Sequence, residues 1–320
     1  MRYRTFGRTG WQVSEIGYGT WGMAEWSGSD DAESLASLEL TVAKGVNFFD
    51  TARSYGDGRS ERLLALLLAG HRGTGIFTAT KVPPMNREWP SRPGVPLGEV
   101  FPSAYIRESV DASRSNLGVD VIDLLQLHVW DDAWLAGGEV ARTVAELKRE
   151  GSIWAFGVSL NRGQPWSGVE AVRTGFVDAV QVVYNVFDQA AEDELFRTCR
   201  ENGVAVIARC PFDEGSLIGD LTLGSTWPAE DWRSRYFGPE NLAQSVARAD
   251  ALKPLLPPGM TLADLALRFI LSNPDVSTVI PGMRRAGHVE SNTAAGDAGP
   301  LPPELLAELQ RHRWDRQRRE

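Results

Sequence analysis

Asp50, Tyr55, Lys81 and His128 bring a carboxylate, a phenol, an ammonium and an imidazole to the ends of apolar runs or the turns after them. These are the side chains that transfer protons in acid–base chemistry. Asp50 closes the apolar run that begins at Val46, and Tyr55 follows in a glycine-rich turn, Tyr55-Gly56-Asp57-Gly58. Lys81 ends the run Ile76-Phe77-Thr78-Ala79-Thr80-Lys81. A lysine so placed must reach solvent or pair with a carboxylate, and Asp50, at the same level on a neighbouring strand, is the obvious partner. The plain alternative is an aspartate that caps the next turn and a tyrosine that packs over a rim. Each of these residues taken singly favours that alternative; several polar strand ends converging on one mouth favour a site.

The elements that must position them alternate. A hairpin is expected first, Arg2 to Phe6 and Trp11 to Ser14 around Gly7-Arg8-Thr9-Gly10. Eight apolar strands follow, at 16–20, 46–50, 76–82, 121–129, 153–159, 179–184, 205–210 and 278–280. Between and after them lie helical patterns at 30–44, 60–68, 104–117, 140–150, 169–174, 192–202, 242–256, 261–272, 288–295 and 303–314. Eight strand–helix units in 320 residues predict one (β/α)8 barrel domain spanning 1–320. Two long insertions interrupt the rhythm: 83–103, with six prolines, and 211–239, with Trp227, Trp232, Tyr236 and Phe237. An open doubly wound sheet is the runner-up. Its glycine fingerprint fails in context: Gly17-Tyr18-Gly19-Thr20-Trp21-Gly22 carries glycines, but no acidic residue ends a second strand about twenty residues on.

In such a barrel, chemistry gathers at the C-terminal strand ends. Those ends are Asp50, Lys81, His128, Ser159, Gln181-Tyr184-Asn185, Arg209-Cys210 and Pro281-Gly282. The net charge of −9 argues against a general nucleic-acid binder. No apolar stretch reaches the roughly 20 residues that span a bilayer, and the polar start, Met1-Arg2-Tyr3-Arg4, has no signal-like region. Cys199 and Cys210 make no disulfide framework, with Cys210 expected in a buried strand, and a reducing cytoplasm is the simpler expectation. The four histidines, His71, His128, His288 and His312, lack the close spacing of a zinc site, so no metal is expected.

Over nearly its whole length the chain resembles the aldo-keto reductases. The resemblance rests on Gly17 to Gly22, Asp50-Thr51-Ala52 with Tyr55-Gly56, Lys81, Leu124-Leu125-Gln126-Leu127-His128, Gly157-Val158-Ser159, Gln181 to Asn185 and Ile280-Pro281-Gly282. It implies an NADPH-dependent oxidoreductase, with NADH possible, that reduces an aldehyde or ketone using Asp50, Tyr55, Lys81 and His128. A tyrosine of ordinary pKa near 10 needs the Lys81 ammonium to stabilise its phenolate. Asp50 would hold that lysine in place and keep it charged, and His128 would donate to the carbonyl oxygen. The implied cofactor positions are Gly19, Thr20, Trp21, Asp50, Ser159, Asn161, Gln181, Arg209, Pro211, Phe212, Gly215, Gly282, Arg284, His288 and Asn292.

Three positions depart from the family pattern. Leu160 stands where an asparagine is usual, so that Asn161 substitutes after a local shift or one hydrogen bond is missing. Arg209 stands where many relatives have a nicotinamide-stacking ring. It would favour the neutral reduced ring over the oxidised one, or else pair with Asp213 or Glu214. His288 replaces an arginine or glutamine, which leaves Arg284 as the clamp for a 2′-phosphate and Asn292 to read the adenine. Trp89, Trp227 and Trp232, with Trp21, Trp26 and Trp130, are candidate pocket walls. The competing readings are an NADPH-binding sensor or channel-associated subunit, and an aldolase using Lys81 as a Schiff-base amine, which needs an uncharged lysine.

Overall fold

The computed structural model describes residues 1–24, 28–229 and 231–316. Tyr3–Thr5 (β1) pairs antiparallel with Gln12–Ser14 (β2). The turn between them passes so close to the barrel that a Cβ on Gly7 would lie 2.5 Å from the Gly203 carbonyl oxygen.

Eight parallel strands then form one sheet in chain order. They are Tyr18–Gly19 (β3), Phe48–Asp50 (β4), Phe77–Val82 (β5), Ile122–Leu127 (β6), Ile153–Ser159 (β7), Ala179–Val183 (β8), Ala205–Arg209 (β9) and Thr278–Val279 (β10). Parallel bridges Ile16↔Val279 and Gly19↔Gly282 join the first of these strands to the last and close the barrel. The expected strands are shortened mainly at their ends. Residues 128–129 leave the ladder after β6, and Cys210 lies one residue beyond β9 in a left-handed conformation (φ 54°), outside the strand where it was expected.

The helices are Asp31–Ala43 (α1), Arg59–Gly70 (α2), Leu97–Val100 (α3), Ser103–Leu117 (α4), Glu139–Arg149 (α5), Val169–Arg173 (α6), Leu195–Glu201 (α7), Arg233–Tyr236 (α8), Pro239–Leu252 (α9), Leu262–Leu271 (α10), Ala286–Ala298 (α11) and Pro303–Gln310 (α12). The helix expected over 192–202 divides into a 3-10 turn, Ala190–Glu192, and α7. The short α3 and α8 lie inside the two insertions. Local chemistry sets the boundaries: Thr261 and Asp264 make a reciprocal capping box at the start of α10, whose apolar face then packs inward.

Because strand side chains alternate between faces, each barrel strand has one inward column. Its lower part is apolar. Phe48, Ala79, Leu124, Ala155, Ala179, Ala205, Ile207 and Ile280 pack with Phe6 and Val13 of the hairpin, which plugs the N-terminal end. Two residues further along several of the same columns stand Asp50, Lys81, Gln126, Gly157, Gln181 and Arg209. The larger core lies between sheet and helices.

Candidate active site

At the C-terminal end of β4 and β5, Lys81 is 0% exposed and Asp50 2%. Lys81 Nζ donates to Asp50 Oδ1 and, at 2.8 Å, to the Thr51 carbonyl oxygen. The two residues are not level, as the sequence reading had them. Asp50 is in register with Ala79, and the length of the Lys81 side chain spans the difference. Asp50 Oδ2 accepts from the side-chain amides of Gln126 (3.1 Å) and Gln181 (2.7 Å). The carboxylate is thus engaged on both oxygens, as a buried charge requires.

The loop after β4 brings Tyr55 over this pair, with Lys81 Nζ 5.2 Å from its ring centroid. His128, one residue beyond β6, meets the Tyr55 ring edge-on at 5.7 Å between centroids. Ser54 Oγ lies 3.4 Å from His128 Nδ1. Burial, then the charges of Lys81 and Arg209, hold the imidazole well below the usual histidine range, so it is neutral at pH 7. Burial also pushes the Lys81 ammonium down, against the charge and hydrogen bond of Asp50. Asp50 acts in the expected direction, favouring the charged lysine, and desolvation is the larger influence against it. The geometry opposes a Schiff-base role all the same, since Nζ is held among Asp50 and Thr51 and fully covered.

The other expected site residues fall into distinct groups. Ser159 and Gln181 are buried register partners on β7 and β8. Leu160 turns away and packs on Gly168, where a Cβ would lie 2.6 Å from Leu160 Cδ2. Asn161 is buried, donates to the Trp130 carbonyl oxygen (3.4 Å) and Gln164 Oε1 (3.2 Å), and leaves its own Oδ1 buried without a partner. The Thr20 hydroxyl is spent on the Asp50 carbonyl oxygen at 3.0 Å. Gly19 approaches the end of β10 so closely that a Cβ would meet the Ile280 carbonyl oxygen at 2.8 Å.

Arg209 does not pair with Asp213 or Glu214. Both acids pair with Arg162, and Asp213 also with Arg316 at 2.6 Å. Pro211, Phe212 and Gly215 form the turn over which this knot is tied. Arg284, Arg285 and the exposed His288 gather at the start of α11, with Glu33 3.7 Å from Arg285. Partial desolvation, then Arg285 and Arg284, depress the His288 imidazole. Asn292 is buried, its Nδ2 without a partner.

Among the tryptophans, Trp89 meets His128 edge-on at 5.9 Å, and Trp232 meets Trp21 at 5.7 Å, which links the second insertion to the turn after β3. Trp130 is a correction: it is fully buried and packs on Trp134 and Phe176. Trp227 is half-buried and stacks on Phe237 in a satellite cluster. Trp26 lies outside the described residues.

The model of the aldo/keto reductase family matches residues 15–313. The chain belongs to that family. Aldo-keto reductase YhdN of Bacillus subtilis is 28% identical over 298 residues, 91% of this chain and 87% of that relative. The NADH-specific methylglyoxal reductase of Escherichia coli is 29% identical over 311 residues, covering 92% and 93%. A probable voltage-gated potassium channel subunit beta of Arabidopsis thaliana is 29% identical over 320 residues, covering 94% and 93%. Among solved structures, the holo form of aldo-keto reductase AKR11C1 from Bacillus halodurans superposes with a TM-score of 0.78 at 26% identity, covering 100% of this chain and 99% of the other. The chain is accordingly an NAD(P)H-dependent oxidoreductase of the aldo/keto reductase type.

Two features of this aldo/keto reductase escaped the sequence reading. Gln126 is a positioning residue for Asp50, and the signal was an amide within the apolar run Ile122–Leu127. Arg162 is buried among acids from two later loops, and nothing local to Asn161-Arg162-Gly163 announces it. Among the described residues no cluster of three or more metal-ligating side chains occurs, and no helix is long and apolar enough to cross a membrane.

Proposed function

We propose that the protein reduces an aldehyde or ketone to an alcohol with NADPH, NADH being the alternative coenzyme. The observation that carries this reading is the buried Lys81–Asp50 pair directed at Tyr55 beside a neutral His128. A nicotinamide cofactor supplies the hydride when bound.

The residues available suit that group. Asn161 Oδ1 and Asn292 Nδ2 are a buried acceptor and a buried donor that need outside partners, and Ser159 and Gln181 stand at the same mouth. Arg284, with Arg285 and His288, offers cationic and polar groups to a 2′-phosphate at a helix start.

In the proton step, the Tyr55 hydroxyl gives its proton to the carbonyl oxygen. The Lys81 ammonium stabilises the phenolate left behind, and Asp50, braced by Gln126 and Gln181, fixes that ammonium in place. With Ser54 donating to Nδ1, His128 keeps its proton on Nε2 and offers a hydrogen bond from it to the carbonyl oxygen, orienting the substrate and stabilising developing charge. Trp89 walls the substrate side, which favours apolar or aromatic carbonyls. We further read residues 1–320 as one domain of a cytoplasmic protein. The shared core running from Met1 to Trp314 and the two unpaired cysteines support this.

A second reading, a cofactor-binding sensor with little turnover, draws on the likeness to potassium channel β subunits. A panel of aldehydes and ketones followed by NADPH and NADH absorbance decides between them. Multiple turnovers abolished by Tyr55→Phe support the reductase, and cofactor binding without turnover on any carbonyl would remove it.

A further inference from the structure

The turn after β9 is held in a conformation that its own sequence disfavours. Cys210, Asp213 and Glu214 have positive φ (54°, 45° and 59°), and none of them is a glycine. Such a backbone persists only where its surroundings over-determine it. Those surroundings converge on Asp213, which is 0% exposed. Its carboxylate accepts from Arg162 at 2.7 Å, Ser216 at 2.6 Å and Tyr236 at 3.1 Å. A fourth partner comes from the far end of the chain: Arg316 Nη2 lies 2.6 Å from Asp213 Oδ2.

The segment after α12 delivers that arginine. The Trp314 amide donates to the Phe187 carbonyl oxygen at 2.8 Å, and Arg313 pairs with Asp193 at 2.6 and 2.7 Å. The Arg316 guanidinium stacks on Trp314 at 4.0 Å, faces the Phe187 ring at 6.0 Å and donates to the Tyr236 hydroxyl. Its side chain is 7% exposed. Asp213 needs this second cation, because Arg162 is shared with Glu214 and Asp188. Burial raises the Asp213 carboxyl, but the charges of Arg316 and then Arg162 outweigh it and hold the group below the ordinary carboxylate range.

The braced turn adjoins the mouth. Pro211, Phe212 and Gly215 lie in it, Asn185 Nδ2 donates to the Cys210 carbonyl oxygen at 3.0 Å, and Arg162 directly follows Asn161. We propose that Arg316 is a positioning residue for the coenzyme: through its pair with Asp213, the C-terminal segment holds the turn after β9 in the conformation described and sets how fast the coenzyme leaves. The bracing stands on the contacts above; the effect on release rests on the cofactor reading already given.

Two measurements on the full chain separate these halves. Hydrogen–deuterium exchange without coenzyme reads the turn itself, where the Asp213 amide donates to the Cys210 carbonyl and those of Gly215 and Leu217 to the Phe212 carbonyl. Stopped-flow displacement of NADPH and of NADH reads release. Arg316→Met removes the charge and keeps an apolar side chain beside Trp314. It should speed exchange at these amides and release the coenzyme about tenfold faster, the size of one charge-assisted hydrogen bond, with association changed less than about threefold. Arg316→Lys should recover most of both effects. Arg313→Gln, which loosens the same segment at its exposed anchor, should leave both near wild type. Should Arg316→Met fail to fold, Arg316→Gln supplies the uncharged comparison. Unchanged exchange in the uncharged variant would overturn the brace, and equal effects from Arg313→Gln would make Arg316 one packing contact among several. Faster exchange with unchanged release would overturn the positioning role. If wild type bound neither coenzyme while the uncharged variant still loosened the turn, the brace would stand and the cofactor reading would fall instead.

Discussion

The two ends of the barrel interior are built from the same strands and the same inward columns, yet they behave as opposites. Phe48 precedes Asp50, Ala79 precedes Lys81, Leu124 precedes Gln126, Ala179 precedes Gln181 and Ile207 precedes Arg209, each by two residues. The first member of each pair lies in the dry cluster under the hairpin. The second lies at the mouth, where charges and amides satisfy one another only in part. A barrel of this kind separates cohesion from chemistry by one pleat repeat. The lower layer tolerates the electrostatic penalty of the upper one because it contributes hydrophobic burial at no polar cost.

The sharpest way to break this contrast is at the mouth. Tyr55→Phe should lower kcat by about 10²- to 10⁴-fold, the usual share of a positioned proton donor. Cofactor affinity and melting temperature should hardly move, as titration and calorimetry would read. A preserved kcat would remove Tyr55 from the proton step.

Lys81→Met should both inactivate the protein and destabilise it by about 3–5 kcal/mol, because Asp50 is left buried with its charge unpaired. The double variant Lys81→Met with Asp50→Leu should regain much of that stability in denaturant titrations and none of the activity. If the double variant were no more stable than the single one, the mouth would not be the electrostatic burden described. At the other end, Phe48→Ala should lose about 3–5 kcal/mol by emptying the space beside Phe6. Its kcat should stay within a few-fold of wild type at low temperature.

A smaller effect concerns pH. The folded protein holds His128 below its unfolded pKa, so the unfolded chain binds the proton first as pH falls below about 6.5. Stability should therefore decline as pH drops through that value towards the depressed folded pKa. His128→Gln should flatten this part of the melting-temperature profile, and an unchanged slope would contradict the buried neutral imidazole.

The smallest signal expected is from the thiols. Burial raises Cys199 to about 12 and Cys210 to about 11. Neither should be alkylated by iodoacetamide in the native protein at pH 8, by intact mass; rapid labelling of Cys210 would show an open turn after β9.

How much of this was visible in the sequence follows from what each signal depends on. An apolar run ending in a charged residue marks Asp50 and Lys81, since an apolar strand has no other use for a charge. The barrel itself is legible for the same reason, from eight such runs separated by helical ones. Gln126 was less visible, because an amide in a strand announces neither its face nor its partner, which comes from β4 far back in the chain. The tryptophans were ambiguous in kind: Trp89 and Trp130 both follow turn-like or strand-end sequence, and only the packing of Trp130 on Trp134 separates wall from core. Arg162 was invisible, as its carboxylates belong to loops brought together by closure.

The seam of the barrel has a consequence for how the protein is made. Ile16 bridges to Val279, and Arg4 holds the carbonyls of Asn273 and Val276 at 2.8 and 2.6 Å. A ribosome adding about 5–20 residues per second needs on the order of tens of seconds to pass from one side of that seam to the other. Through that interval the edge of β3 and the hairpin's apolar face wait for partners not yet synthesised. Closure is therefore a late event. Nascent chains halted before residue 278 should bind chaperones and yield to protease, whereas the full-length chain, with the seam closed and α11 and α12 packed into the core, should resist it.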